Sequence, residues 1–172
     1  MRLFWERGFV ATSVRDLCDA MEIKPGSFYA AFGSKEACFR RALERYLATQ
    51  PRPGLPGPDA VRAWLRAIVD PKRTPKGCLL VHSAVEHPSL DERTQALVTA
   101  RLEAMERFFA QCLRGRPRAR ADASLLAATV LAIHVRARAG APSRELRALA
   151  RRALEAVSLD ETPAATRRLA RS

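Results

Sequence analysis

Two lysines, two hydroxyls, a phenol and a row of small side chains share the stretch IKPGSFYAAFGSKE, residues 23–36. A lysine ammonium meets phosphate as a point charge, hydroxyls and phenols reach phosphate oxygens or base edges, and small side chains let a helix lie close to a groove floor. On a helix, Phe28 and Phe32 share one face, leaving Ser27, Tyr29, Ala30 and Ala31 to point elsewhere. The chemistry on offer is nucleic-acid recognition, with specificity from fit and charge supplied at the flanks by Lys24 and Lys35. Tyr29 reads as a contact to a phosphate or a thymine methyl. The competing reading, a core aromatic, is weakened because Phe28 and Phe32 already hold the buried spacing. Arg15 reads equally as a DNA contact or one end of a surface ion pair.

Catalysis and metal binding find less to work with. His82, His87 and His134 are scattered, and no nucleophile-elbow pattern occurs. Cys18, Cys38, Cys78 and Cys112 lie far apart without a C-x-x-C pair, so neither a zinc site nor a disulfide framework is indicated. Four reduced, mostly buried thiols are expected, with no cofactor and no metal. A redox-sensing role for Cys78 or Cys112 would need neighbours that lower a thiol pKa, and the nearby sequence supplies none.

The elements that must position residues 23–36 are helical. Val14, Leu17, Cys18 and Met21 recur at helical spacing, Thr12 and Ser13 supply an N-cap, and Asp16 is placed to reach back to the Ser13 amide. Pro25 suits the first turn of a second short helix, and Gly33-Ser34 ends it and caps a longer one from about Lys35 to Thr49. Helix, tight turn and short helix make a helix-turn-helix, whose second helix enters a major groove. QPRPGLPGPD is a linker and the best domain boundary. Beyond it, Val61, Trp64, Leu65 and Ile68 mark a helix that stops near Asp70-Pro71. GCLLVHSAVE predicts a short buried helix ended by His87-Pro88. Ser89-Leu90-Asp91-Glu92 reads as a capping box for a long helix striped by Val98, Leu102, Met105, Phe109 and Cys112.

ASLLAATVLAIHV, residues 123–135, carries no charge on any side, so it must be covered all round, yet it is too short to cross a bilayer. The last helix, about Ser143 to Ser158, puts Leu146, Leu149, Ala150, Ala153, Leu154 and Val157 on one face. Two such helices predict a homodimer closed by a four-helix bundle, with Leu126, Val130, Ile133, Leu146, Leu149 and Ala153 as candidate interface residues. Residues 159–172 read as a tail. The net charge of +12 is spread out: residues 1–50 hold 8 basic and 6 acidic side chains, 51–121 hold 13 and 7, and 122–172 hold 9 and 5. Basicity is therefore compatible with a polyanion partner without marking a face. MRLFWERG has no apolar run that could serve as a signal peptide, and no membrane span is found, so a cytoplasmic protein is expected.

LFWERGFVATSVRDLCDAMEIKPGSFYAAFGSKEACFRRAL closely resembles the DNA-binding domain of TetR-family transcriptional repressors. The family pattern runs apolar-Phe, Gly-Phe/Tyr, Thr-Ser/Thr, helix, turn, small-x-aromatic-Tyr, Phe, Ser-Lys-Glu. The resemblance implies an all-α chain with a three-helix helix-turn-helix domain at 1–48 and a helical effector-binding and dimerisation domain at 58–158. It implies DNA contacts at Ser13, Arg15, Lys24, Pro25, Gly26, Ser27, Tyr29, Ala30 and Lys35. It also implies a homodimer on a pseudo-palindromic double-stranded operator, released by a small organic effector in a cavity for which Trp64, His82, Glu86, Phe108, Phe109 and Cys112 are candidates. The residues themselves favour a plainer reading, His82 as a hydrogen-bonded core or surface histidine and Phe109 as packing. Three departures stand out. Glu22 occupies a turn position where the family usually has Gly, Ala31 stands where many members have His, and only a stub of the first helix precedes LFWERGF. That stub predicts that Met1 is not the natural start.

Two other classes remain open at this level. An architectural DNA binder would have a filled core and slight sequence preference, and random-DNA competition separates it from a repressor. A small helical enzyme would need converging titratable groups in a pocket.

Overall fold

A computed structural model describes residues 1–50, 54–70 and 77–159. Among these the elements are helical: α1 Arg2–Arg7, α2 Val14–Met21, α3 Pro25–Phe32, α4 Lys35–Thr49, α5 Pro58–Ile68, α6 Leu79–Val85, a 3-10 turn His87–Ser89, α7 Glu92–Cys112, α8 Ala119–Arg138 and α9 Ser143–Ala156. No strand occurs among the described residues. Part of the linker (51–53), the stop at Pro71 and residues 160–172 of the expected tail lie outside them.

The local signals act as their chemistry dictates. Ser13 accepts from the Asp16 amide while the Asp16 carboxylate accepts from the Ser13 amide, a reciprocal box that satisfies two donors at the start of α2. Glu22 closes α2 at φ 55° and ψ 40°, the left-handed conformation that glycine adopts without strain. Pro25 occupies the first turn of α3, and Gly33 at φ 77° ends it. Ser34 then accepts from the Ala37 amide and starts α4.

One expected cap moves. Ser89 belongs to the 3-10 turn, and Asp91 opens α7 by accepting from the Thr94 amide at 3.2 Å. Asp and Ser are comparable caps, so the pattern S-L-D-E offered two starts, and the turn after His87-Pro88 consumed the first.

The apolar side chains form two clusters. One joins Phe4, Phe9, Leu17, Phe28, Phe39 and Leu43 of the N-terminal helices to Leu79, Leu90 and Val98, so α6 and the first half of α7 complete the head's own core. Phe4 and Phe9 flank Phe39, with ring centroids 4.9 and 5.1 Å away. The other cluster joins α5, the end of α7, α8 and α9. Leu159, placed in the tail by sequence, belongs to this core: it is buried, and its carbonyl accepts from the Arg62 Nε at 3.0 Å.

Candidate nucleic-acid interface

Helix α3 divides cleanly into two faces. Phe28 is 0% exposed, with the Phe32 ring 5.2 Å away, while Tyr29 is 51% exposed. Lys24, Pro25, Gly26, Ser27, Ala30 and Ala31 are exposed as well. A Cβ added to Gly26 would meet nothing within 4 Å, which marks this first turn as open space. The inner aromatic pair therefore anchors a rod whose outer side is slim. Behind it, the Arg41 guanidinium donates to the Ala31 carbonyl at 3.1 Å and lies 5.8 Å from the Phe32 ring centroid. A cation at the carbonyl end of a helix suits its dipole and fixes the end of α3 against α4.

The flanking residues fare unequally. Arg15 is exposed and has no ion-pair partner among the described residues, which disfavours the surface ion pair as its role. The pair forms instead between Arg7 and Asp16, 3.1 Å apart. Hydrogen bonds from the Ser13 hydroxyl and amide, joined by the charge of Arg7, hold the Asp16 carboxyl below its usual range. Both Ser13 donors are thus committed to Asp16, and Ser13 serves α2 as a cap before it can serve a phosphate. Lys35 is half-buried: its Nζ donates to the Phe9 carbonyl at 3.1 Å and lies 4.1 Å over the Phe9 ring. It ties the start of α4 to the turn after α1, with ammonium protons to spare.

The six candidate effector residues do not form one site. Trp64, Phe108 and Phe109 pack together between α5 and α7, ring centroids 5.1 to 6.1 Å apart, with Cys112 buried in the same core. Burial raises the Cys112 thiol's pKa, opposite to what a redox sensor needs. Glu86 is engaged elsewhere: its carboxylate accepts from the Phe9 amide at 2.7 Å and the Val10 amide at 3.1 Å. His82 lies beside the same junction, its pKa lowered by burial and then by Arg138, with Glu86 opposing. Both leave the effector set, because their contacts are to the head. A cavity of about 170 Å³, lined by Arg116, Arg118, Asp122 and Val157, includes none of the six. Among the described residues no cluster of His, Cys, Asp and Glu fit for a metal ion occurs, and no helix is long and apolar enough to cross a membrane.

The candidate dimer residues also need correction. Leu126, Val130, Ile133, Leu146 and Ala153 are buried in the subunit's own core, and Leu149 is half-buried against it. They cannot meet a partner without unpacking α8 from α5, α7 and α9. The face of α8 left open carries Ala121, Leu125, Ala128, Ala132, Val135 and Ala139, spaced four, three, four, three and four apart. Leu125 is 44% and Val135 48% exposed.

Sequence reasoning missed the contacts of Glu86, Arg138 and Arg41. Their partners are remote in the chain or lie on the backbone, and the one local hint was Gly8, whose φ of 86° ends α1.

Comparison with known proteins agrees with this geometry. Residues 1–42 match the family model for bacterial regulatory proteins of the tetR family. The chain is 47% identical over 47 residues to the HTH-type transcriptional repressor ComR of Escherichia coli (strain K12), covering 27% of this chain and 22% of that one. It is 47% identical over 51 residues to the repressor BdcR of the same strain, covering 30% and 26%. These alignments thus span about a quarter of either relative's length. A wider match is to CifR, a TetR family transcriptional regulator whose cysteine mutant was solved with 26-bp double-strand operator DNA: 31% identity, 89% of this chain, 90% of that chain and a TM-score of 0.75. Reduced NemR of E. coli shares the fold with a TM-score of 0.74, 24% identity and coverage of 95% and 94%. ComR and BdcR are transcriptional repressors and CifR is a TetR family transcriptional regulator, and with the exposed α3 rod and the helical body behind it, the chain belongs to the TetR family of transcriptional regulators.

Proposed function

We propose that the protein is a homodimeric, ligand-responsive repressor acting in the cytoplasm, with residues 1–48 as the reading head and 58–158 as the effector and dimerisation body. The observation that carries the reading is the outward face of α3, where Lys24, Ser27, Tyr29 and Ala30 stand free around a buried Phe28. Such a rod inserts into a major groove: Ser27, Ala30 and Ala31 admit close approach, Tyr29 reaches a phosphate or a thymine methyl, and Pro25 and Gly26 bring the backbone near the groove wall. Lys24, Arg15 and the remaining protons of Lys35 supply phosphate contacts around it. Ser13 contributes through α2, which its capping box holds in place. CifR, of matching architecture, carries operator DNA in its solved complex.

Pairing through the open face of α8 places two heads on one side of a twofold assembly, as a pseudo-palindromic operator requires. The effector is assigned to the α5–α7 corner, where half-buried Trp64 and Phe108 offer apolar walls beside Phe109 and Cys112. A molecule that fits better when the heads are spread lowers operator affinity, and operator lowers its affinity by the same factor. Helix α4, running from head to body, is the proposed lever.

Selection of duplexes from a random library, followed by competition with random DNA at moderate salt, tests the reading. A palindromic consensus bound well above random sequence is expected, and binding without sequence preference overturns it. A second reading, a DNA binder without effector, draws on the close ring packing at the α5–α7 corner, and it prevails if a consensus emerges that no apolar compound releases.

A further inference from the structure

The head meets the body through a clamp of unusual directness. Helix α1 ends at Gly8, leaving carbonyls unpaired on one side and amides on the other. The Arg138 guanidinium, at the last residue of α8, forks onto two of the carbonyls, those of Trp5 and Glu6, each at 2.8 Å. The Glu86 carboxylate, at the end of α6, takes the next two amides, those of Phe9 and Val10, at 2.7 and 3.1 Å. Between them the Trp5 indole donates to the Gly77 carbonyl at 3.2 Å. The approach is close: a Cβ on Gly8 would lie 2.6 and 2.8 Å from the Glu86 oxygens and 2.8 Å from His82 Cε1.

Apolar packing also holds the head to the body, through Leu79, Leu90 and Val98. That packing is non-directional and tolerates sliding or rotation. Two charged forks on four backbone groups either side of Gly8 do not, because each fork fixes a plane as well as a distance. The two forks come from different body helices, and one of those, α8, carries the open apolar face a turn upstream at Val135.

We infer that Glu86 and Arg138 are positioning residues that set the angle of the reading head against the body, and that Arg138 refers this angle to the helix on which the second copy sits. Neither residue touches DNA. Their effect is on the spacing between the two heads, hence on which half-site separation the dimer accepts. The inference rests on the reading of α3 as a DNA-reading element.

The test uses the full chain and the palindromic duplex selected by the wild-type protein, with one or two base pairs inserted or removed at its centre. Each base pair turns one half-site relative to the other by about 34°. The wild-type protein is expected to show a sharp optimum at the selected spacing. Glu86→Gln keeps the shape but turns one accepting oxygen into a donor facing an amide, and Arg138→Lys keeps the charge but loses the fork. Both are expected to bind the selected duplex less tightly and the altered spacings equally well or better, so that the preference falls by about tenfold or more, the equivalent of about 1.4 kcal/mol. Affinity for a single half-site and the melting temperature are expected to stay near wild type. A uniform loss at every spacing, or an unchanged profile, overturns the inference. Should the wild-type protein prefer no duplex over random DNA, the DNA-reading assignment fails instead. The clamp is then judged by the head-to-head distance distribution between nitroxides carried on an unnatural amino acid at exposed Ala31, which Glu86→Ala must broaden.

Discussion

Replacing Leu125 and Val135 together by aspartate should split the subunit pair. Both side chains are about half exposed in the single subunit, 44% and 48%, so their remaining burial is what a partner can still supply. Complete burial of such a side chain is worth about 1.5–3 kcal/mol, and the outstanding half is about 1 kcal/mol each. Twofold symmetry counts every position twice, giving about 4 kcal/mol for the four side chains, before Ala128 and Ala132 contribute. That is about a thousandfold in the dissociation constant. Aspartate adds the cost of desolvating carboxylates and is too short to lift its charge out of the interface. Sedimentation equilibrium over a wide concentration range reads the outcome, with far-UV circular dichroism confirming that α8 persists. A double variant that dimerises as tightly as the wild-type protein, or a wild-type protein that is monomeric, refutes the assignment of this face.

Other perturbations probe separate parts of the structure. Glu22→Gly should stabilise the protein by about 0.5–1 kcal/mol, because relief of the left-handed strain exceeds the added chain entropy, raising the thermal midpoint by about 2 °C; a lower midpoint sinks the strain argument. His134 is buried with its Nδ1 unpartnered, and burial lowers its pKa from 6.5 to about 4. The folded state therefore binds fewer protons than the unfolded one, so its contribution is complete above pH 6.5 and is lost as pH falls toward 4, by about 3 kcal/mol in all. Denaturant titrations across that window should show the loss, and His134→Met should flatten it; an equally steep profile in the variant contradicts the assignment.

The head was legible in the sequence because its determinants are local. Ser13, Asp16, Pro25, Gly33 and Ser34 each act within one helical turn, and Phe28 and Phe32 mark the inner face by spacing alone. Even the awkward residue, Glu22, was legible as a non-glycine in a turn that favours glycine. Helix α8 carries no such local marker. A segment apolar all round has no polar face to betray its orientation, so periodicity chose Leu126, Val130 and Ile133, which face inward, over Leu125, Ala128, Ala132 and Val135. The Glu86 and Arg138 contacts lay beyond reach for another reason: they join residues 76 to 133 positions apart and end on backbone atoms, which leave no pattern of side-chain types. His82 and Glu86 therefore looked like polar groups lining a pocket, when they pack on Gly8.

The most direct test of the DNA-reading assignment compares the wild-type protein with Tyr29→Ala on the selected duplex against random-sequence competitor. Tyr29 is exposed while Phe28 beside it is buried, so the truncation should leave the melting temperature nearly unchanged and cost about 1–3 kcal/mol of specific binding, roughly five- to 150-fold. A folded Tyr29→Ala protein that binds the duplex as tightly and as selectively as the wild type contradicts the placement of α3 in the groove.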